Sequence, residues 1–144
     1  MVGKFEILKT AFGLSTWLLL VSLVMVSDSV DAAASGLTRT HSGGGVTVKA
    51  TYLNPHSPGD VRFQVTLDTH SVDLDEYDLK DLSLLRDETG KTYQSPRVDN
   101  KGSGHRGQIT VIFPKVSPET RWLELVIKDI AGVKEHSLRW EFSQ

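Results

Sequence analysis

The sequence predicts an all-β domain, a seven-stranded antiparallel sandwich, behind an N-terminal export signal. Three observations carry that reading. From Val46 onward apolar residues alternate with polar ones at a period of two. Turn-forming residues recur roughly every 8–12 positions. No segment of the chain sustains the 3.6-residue period of an amphipathic helix.

The strands follow in order. Residues 46–51 place Val46, Val48 and Ala50 on one face and Thr47, Lys49 and Thr51 on the other. Residues 61–68 do the same with Val61, Phe63, Val65 and Leu67. Residues 71–80 are too acidic and too short for a helix and read as a turn, with Leu74, Tyr77 and Leu79 folded back on the core. Leu82 and Leu84 begin a third strand, which turns at Asp87-Glu88-Thr89-Gly90 into a fourth, residues 91–94. A long loop is expected over 95–107. Ile109, Val111 and Phe113 define the fifth strand, and Pro114 ends it because proline has no N–H for the ladder. In the sixth, residues 122–128, Leu123, Leu125 and Ile127 face one way and Trp122 and Val126 the other. Ala131-Gly132 is a hairpin turn into the last strand, which carries Leu138, Trp140 and Phe142.

The first residues precede this domain. Lys4 and Lys9, against Glu6 alone, come before an uncharged run over residues 11–26 that falls short of the ~20 apolar residues that span a bilayer. Val30, Ala32 and Ala34 supply the small residues that signal peptidase needs, so residues 1–34 read as a signal peptide cut after Ala32 or Ala34. The alternative is an uncleaved anchor, which would be the chain's only membrane attachment. Residues 35–45, ending in Gly43-Gly44-Gly45, read as a flexible leader, and the folded domain is expected over 46–144. Export to the periplasm or the cell exterior follows. The chain has no Cys and no glycosylation sequon, which fits a prokaryotic envelope.

Composition excludes several functions. Sixteen Lys and Arg against eighteen Asp and Glu give a net charge of −2, without the basic footprint that nucleic acid binding requires. The absence of Cys removes thiol nucleophiles, disulfides and thiolate metal sites. Gly102-Ser103-Gly104-His105-Arg106-Gly107 is glycine-rich but opens no helix that would cradle phosphate. Ser71 beside His70 is not a triad, because adjacent strand residues point apart. No enzyme activity is expected.

Seven short strands of this spacing resemble the immunoglobulin and fibronectin III sandwich, without the inter-sheet Cys pair or the tyrosine corner of antibody domains. Phe63, Phe113 and Trp140 are then expected to hold the core. Two segments, Leu67-Asp68-Thr69-His70-Ser71-Val72-Asp73-Leu74 and Gly104-His105-Arg106-Gly107, are also similar to small exported prokaryotic Ig-like proteins of unassigned function. That resemblance covers about residues 46–142 and implies an exported Ig-like β-sandwich, with no activity attached.

Two functional expectations follow. The first is a non-enzymatic module for interaction with another envelope or surface protein, or for a structural role there, with Trp122 as the contact residue. A tryptophan on the outer face of a sheet is a common anchor for a partner. The second is a periplasmic copper or zinc protein. Antiparallel strands alternate ends, so His41, His70, His105 and His136 should gather at one end and His56 at the other. Imidazole with neighbouring carboxylates suits either metal. His70 and His105 are the expected ligands, helped by His136 and by Asp68, Asp99 or Asp129. No other cofactor is expected. The run Asp73, Asp75, Glu76, Asp78 and Asp81 has some of the carboxylate spacing of a calcium loop but lacks its central Gly and twelfth-position Glu.

Overall fold

The computed structural model describes residues 36–55, 57–101 and 108–142. Among these, nine strands and one helical turn form two antiparallel sheets. The strands are β1 (Thr38–Gly43), β2 (Val46–Tyr52), β3 (Val61–Thr69), β4 (Ser83–Asp87), β5 (Thr92–Gln94), β6 (Arg97–Lys101), β7 (Gln108–Phe113), β8 (Trp122–Ile130) and β9 (Val133–Glu141), and the turn is α1 (Leu79–Leu82). The first sheet runs β1-β2-β3-β7-β6 and the second β5-β4-β8-β9.

The alternation read from the sequence sets the faces. Val46, Val48 and Ala50 on β2 and Val61, Phe63 and Val65 on β3 point inward, against Leu123, Leu125 and Ile127 of β8 and Leu138 and Trp140 of β9. The aromatic centre is as expected. Phe63 is 4.8 Å from Trp140 and 6.1 Å from Phe113 between ring centroids, spacings at which tilted and edge-on rings attract. Leu74 and Leu79 fold back into this core and Tyr77 packs against it, while α1 is closed by Asp78, whose carboxylate accepts from the Lys80 N–H.

Two expectations are corrected. The sandwich has nine strands rather than seven, because β1 and β6 form where a leader and a loop were expected. Residues 38–43 are not a flexible leader: they pair with β2 from Thr38↔Thr51 to Gly43↔Val46. Gly44 and Gly45 form the two-residue turn between them with φ of 63° and 79°. Left-handed geometry at both positions is what a tight hairpin turn demands, so these glycines fix the chain rather than loosen it. In the 95–107 segment, β6 pairs with β7 over Arg97↔Ile112 to Lys101↔Gln108. Residues 1–34, with the expected export signal, lie outside the described residues.

Candidate functional site

The two sheets meet along a seam where β1, the edge of the first, passes beside β9, the edge of the second. The β1 register sets Arg39, His41 and Gly43 opposite the buried Ala50, Val48 and Val46, so these three face inward. On β9 the inward positions are His136, Leu138 and Trp140, opposite Ile127, Leu125 and Leu123. Side chains tie the strands together. The Arg39 Nε donates to the Arg139 carbonyl at 3.1 Å and the Trp140 indole N–H donates to the Leu37 carbonyl at 2.7 Å.

The hairpins on either side of the seam interlock. A Cβ on Gly43 would stand 3.3 Å from Val133 Cγ2 and 3.5 Å from His136 Cε1, and one on Gly44 would stand 2.5 Å from the Ala131 carbonyl oxygen. Gly44 therefore has both a backbone angle and a contact that exclude a side chain. Ala131 and Gly132 have φ of 51° and 76°, the tight turn expected there, and Asp129 at 55° shares the left-handed geometry. The Ala131 N–H donates to the Tyr77 hydroxyl at 3.1 Å.

Between these hairpins two imidazoles meet. His41 Nδ1 and His136 Nδ1 are 3.0 Å apart, with ring centroids at 5.0 Å and planes crossing at 84°. His136 is fully buried and its Nε2 has no hydrogen-bond partner, while His41 is half-buried. Burial pushes the His136 pKa down, and the charge of His41 pushes it further. The Ile130 backbone opposes this in part, although it gives Nε2 no hydrogen bond of sound geometry. His136 is thus held as a neutral ring.

The other histidines do not join this pair. His70 is exposed and lines a depression of about 530 Å³ on the outer face of the first sheet with Thr40, Lys49 and Asp68. His136 faces the interior between the sheets, so the structure does not bring His70 and His136 together. His105 and His56 lie outside the described residues. Asp99 is occupied by Arg97 at 3.2 Å and Asp129 sits in the strained turn. Among the described residues no group of three or more His, Asp or Glu side chains is gathered for a metal ion. In the acidic loop Asp73 and Asp78 cap the N–H groups of Asp75 and Lys80.

Trp122 is half-buried on the outer face of β8, as its parity predicts. The Arg139 guanidinium lies 3.9 Å over its ring, and Arg139 in turn meets Glu141 at 3.5 Å. At the opposite end from the interlocked hairpins, Tyr52, Pro55, Val61, Lys115 and Phe142 help to line a cleft of about 440 Å³. Burial raises the pKa of Tyr52, keeping its hydroxyl protonated.

Fold and site together define a two-sheet antiparallel β protein in which a half-buried and a buried histidine meet where the sheet edges adjoin. No family model and no curated protein matches the chain. Its fold is similar to the crystal structure of a DUF4426 family protein from Pseudomonas aeruginosa PAO1, with a TM-score of 0.49 and 15% identity, covering 72% of this chain and 94% of that one.

Proposed function

We propose that the chain is an exported, non-enzymatic Ig-like module that binds another protein of the cell envelope or surface, with residues 1–34 directing export. The strand order supports the Ig-like part. With β1 set aside, β2-β3-β7-β6 facing β5-β4-β8-β9 follows the A-B-E-D and C′-C-F-G order of immunoglobulin-type sandwiches.

The observation that carries the binding part is the cluster of Trp122, Arg139 and Glu141 on the outer face of the second sheet. Tryptophan and arginine dominate the energetics of protein interfaces, and a guanidinium stacked on an indole holds both rigid before a partner arrives. Affinity capture with the full chain tests the reading. A bound partner should be retained by His70→Ala and weakened about 30-fold or more by Trp122→Ala, the loss expected of an interface hot spot. Equal retention by Trp122→Ala, with the fold intact, contradicts it.

One observation favours the second reading, copper or zinc binding: the convergence of the His41 and His136 Nδ1 atoms. Two nitrogens are half of the four ligands of a structural zinc site. Calorimetric titration of the full chain with Cu(II) and Zn(II) separates the candidate ligands. Binding lost in His70→Ala/His105→Ala selects the loop histidines, and binding lost only in His41→Ala selects the seam.

A further inference from the structure

We infer that the cleft at the Tyr52 end of the sandwich is a binding site for a small aromatic carboxylate. The cleft opens where the sheets part. Its floor joins Tyr52 and Val61, from β2 and β3, to Leu123 of β8 and to Phe142, which follows β9. Its volume of about 440 Å³ lies in the range that small ligands occupy.

The floor sets the body of the ligand. Tyr52, Val61 and Leu123 are buried and Phe142 is half-buried, so the base of the cleft is continuous with the core. The Tyr52 ring stacks on Phe63 at 4.8 Å and meets Phe142 at 5.9 Å with planes inclined at 57°. Rings attract one another when offset or edge-on, and two inclined rings favour a third aromatic group over an aliphatic chain.

The walls are set before a ligand arrives. Pro55, Pro58 and Pro118 line the cleft and fix φ at three positions in its two loops. Asn54 closes the first loop, its Oδ1 accepting from the Arg62 N–H at 2.9 Å and its Nδ2 donating to the Asp60 carbonyl at 2.6 Å. In the second, the Thr120 N–H donates to the Ser117 carbonyl at 3.2 Å and the Arg121 N–H to the Glu88 carboxylate at 3.2 Å. The Phe142 N–H then donates to the Arg121 carbonyl at 2.8 Å, which ties this loop to the end of the chain's last strand. Fixed walls lower the ordering cost of binding.

Charge sets the head. Lys115 is the one charged side chain among the described residues that line the cleft, and no carboxylate lines it. Among the described residues Lys115 forms no ion pair. The Tyr52 hydroxyl has no hydrogen-bond partner among them either, and burial keeps it protonated as a donor. A single ammonium matches a single negative charge, and its bond to a carboxylate is charge-assisted. Neither Trp122 nor any described histidine lines the cleft except at the other depression, so this inference stands apart from both functional readings above.

Heteronuclear NMR of the full chain, titrated with phenylacetate, indole-3-acetate, phenylacetamide and acetate, tests it. At least one of the two aromatic acids should shift the amides of residues 52–61 and 115–123, with a Kd of about 1 mM or below, the affinity that a dozen non-hydrogen atoms sustain. Phenylacetamide, the same body without the charge, should bind about tenfold more weakly than phenylacetate, and acetate should shift nothing in the cleft. In Lys115→Gln, an exposed position, the acids should fall to the affinity of the amide while the amide is unaffected. No saturable shift with either acid up to about 10 mM, shifts centred elsewhere, or equal binding of acid and amide overturns the inference. So does undiminished binding by Lys115→Gln. If that variant does not fold, the comparison of acid, amide and acetate on the unaltered chain decides.

Discussion

Asp87 and His136 stand at inward positions near the two ends of the second sheet, both buried and both titratable, and the structure treats them in opposite ways. The Asp87 carboxylate accepts hydrogen bonds from the Thr89 N–H at 2.9 Å, the Thr89 hydroxyl at 2.6 Å, the Lys91 N–H at 3.2 Å and the Tyr93 hydroxyl at 2.9 Å. Burial pushes the Asp87 pKa up, but these four donors outweigh it and leave the pKa below the ordinary carboxylate value. Tyr93 is pushed up to about 12 by burial, by its bond to Asp87 and by the charges of Asp87 and Glu88. His136 has one partner for two nitrogens and stays neutral. A buried polar group with every lone pair used stabilises its surroundings; one with half its capacity used is a point of leverage.

The comparison ranks the effects of substitution. Asp87→Ala leaves the Thr89, Lys91 and Tyr93 donors without their acceptor and should cost about 3 kcal/mol, read as a lower urea midpoint with an unchanged slope. His136→Leu should shift stability by about 1 kcal/mol or less at neutral pH, because the lost bond to His41 is offset by removal of an unpaired buried nitrogen. A loss from His136→Leu as large as that from Asp87→Ala would mean that the pair is a structural bond like the carboxylate turn.

pH separates the two groups by window rather than by sign. The folded pKa of His136 lies below the ordinary 6.5, so the unfolded chain takes up that proton first. Its contribution to stability is complete above the ordinary value and is lost as pH falls through the lowered one. Asp87 behaves alike below its ordinary 3.8. Acid unfolding followed by circular dichroism should therefore show an early loss that His136→Leu removes and a later one that it leaves.

Much of this architecture is legible in the residues, and the exceptions share a cause. On β2, β3, β8 and β9 the inward positions are apolar, so the period of two announces itself, and His136 is placed inside by sharing parity with Leu138 and Trp140. On β1 the inward positions are Arg39, His41 and Gly43, and on β6 Val98 is the lone apolar residue. Both are outer strands of the first sheet, held by backbone pairing and by contacts along the edge, and such strands carry no hydrophobic alternation to read. Without β1 as a strand, His41 could not be set opposite His136, although both were expected at the same end. The triple glycine misled for a related reason: the same residue type that frees a linker also satisfies a turn needing two positive φ angles.

The central claim is that His136 is a neutral, buried ring whose pKa is held below the ordinary value chiefly by burial. The most direct test is a pH titration of its ring nitrogens by heteronuclear NMR on the folded full-length protein. The account predicts that His136 titrates below the ordinary 6.5. A midpoint at or above that value would contradict it.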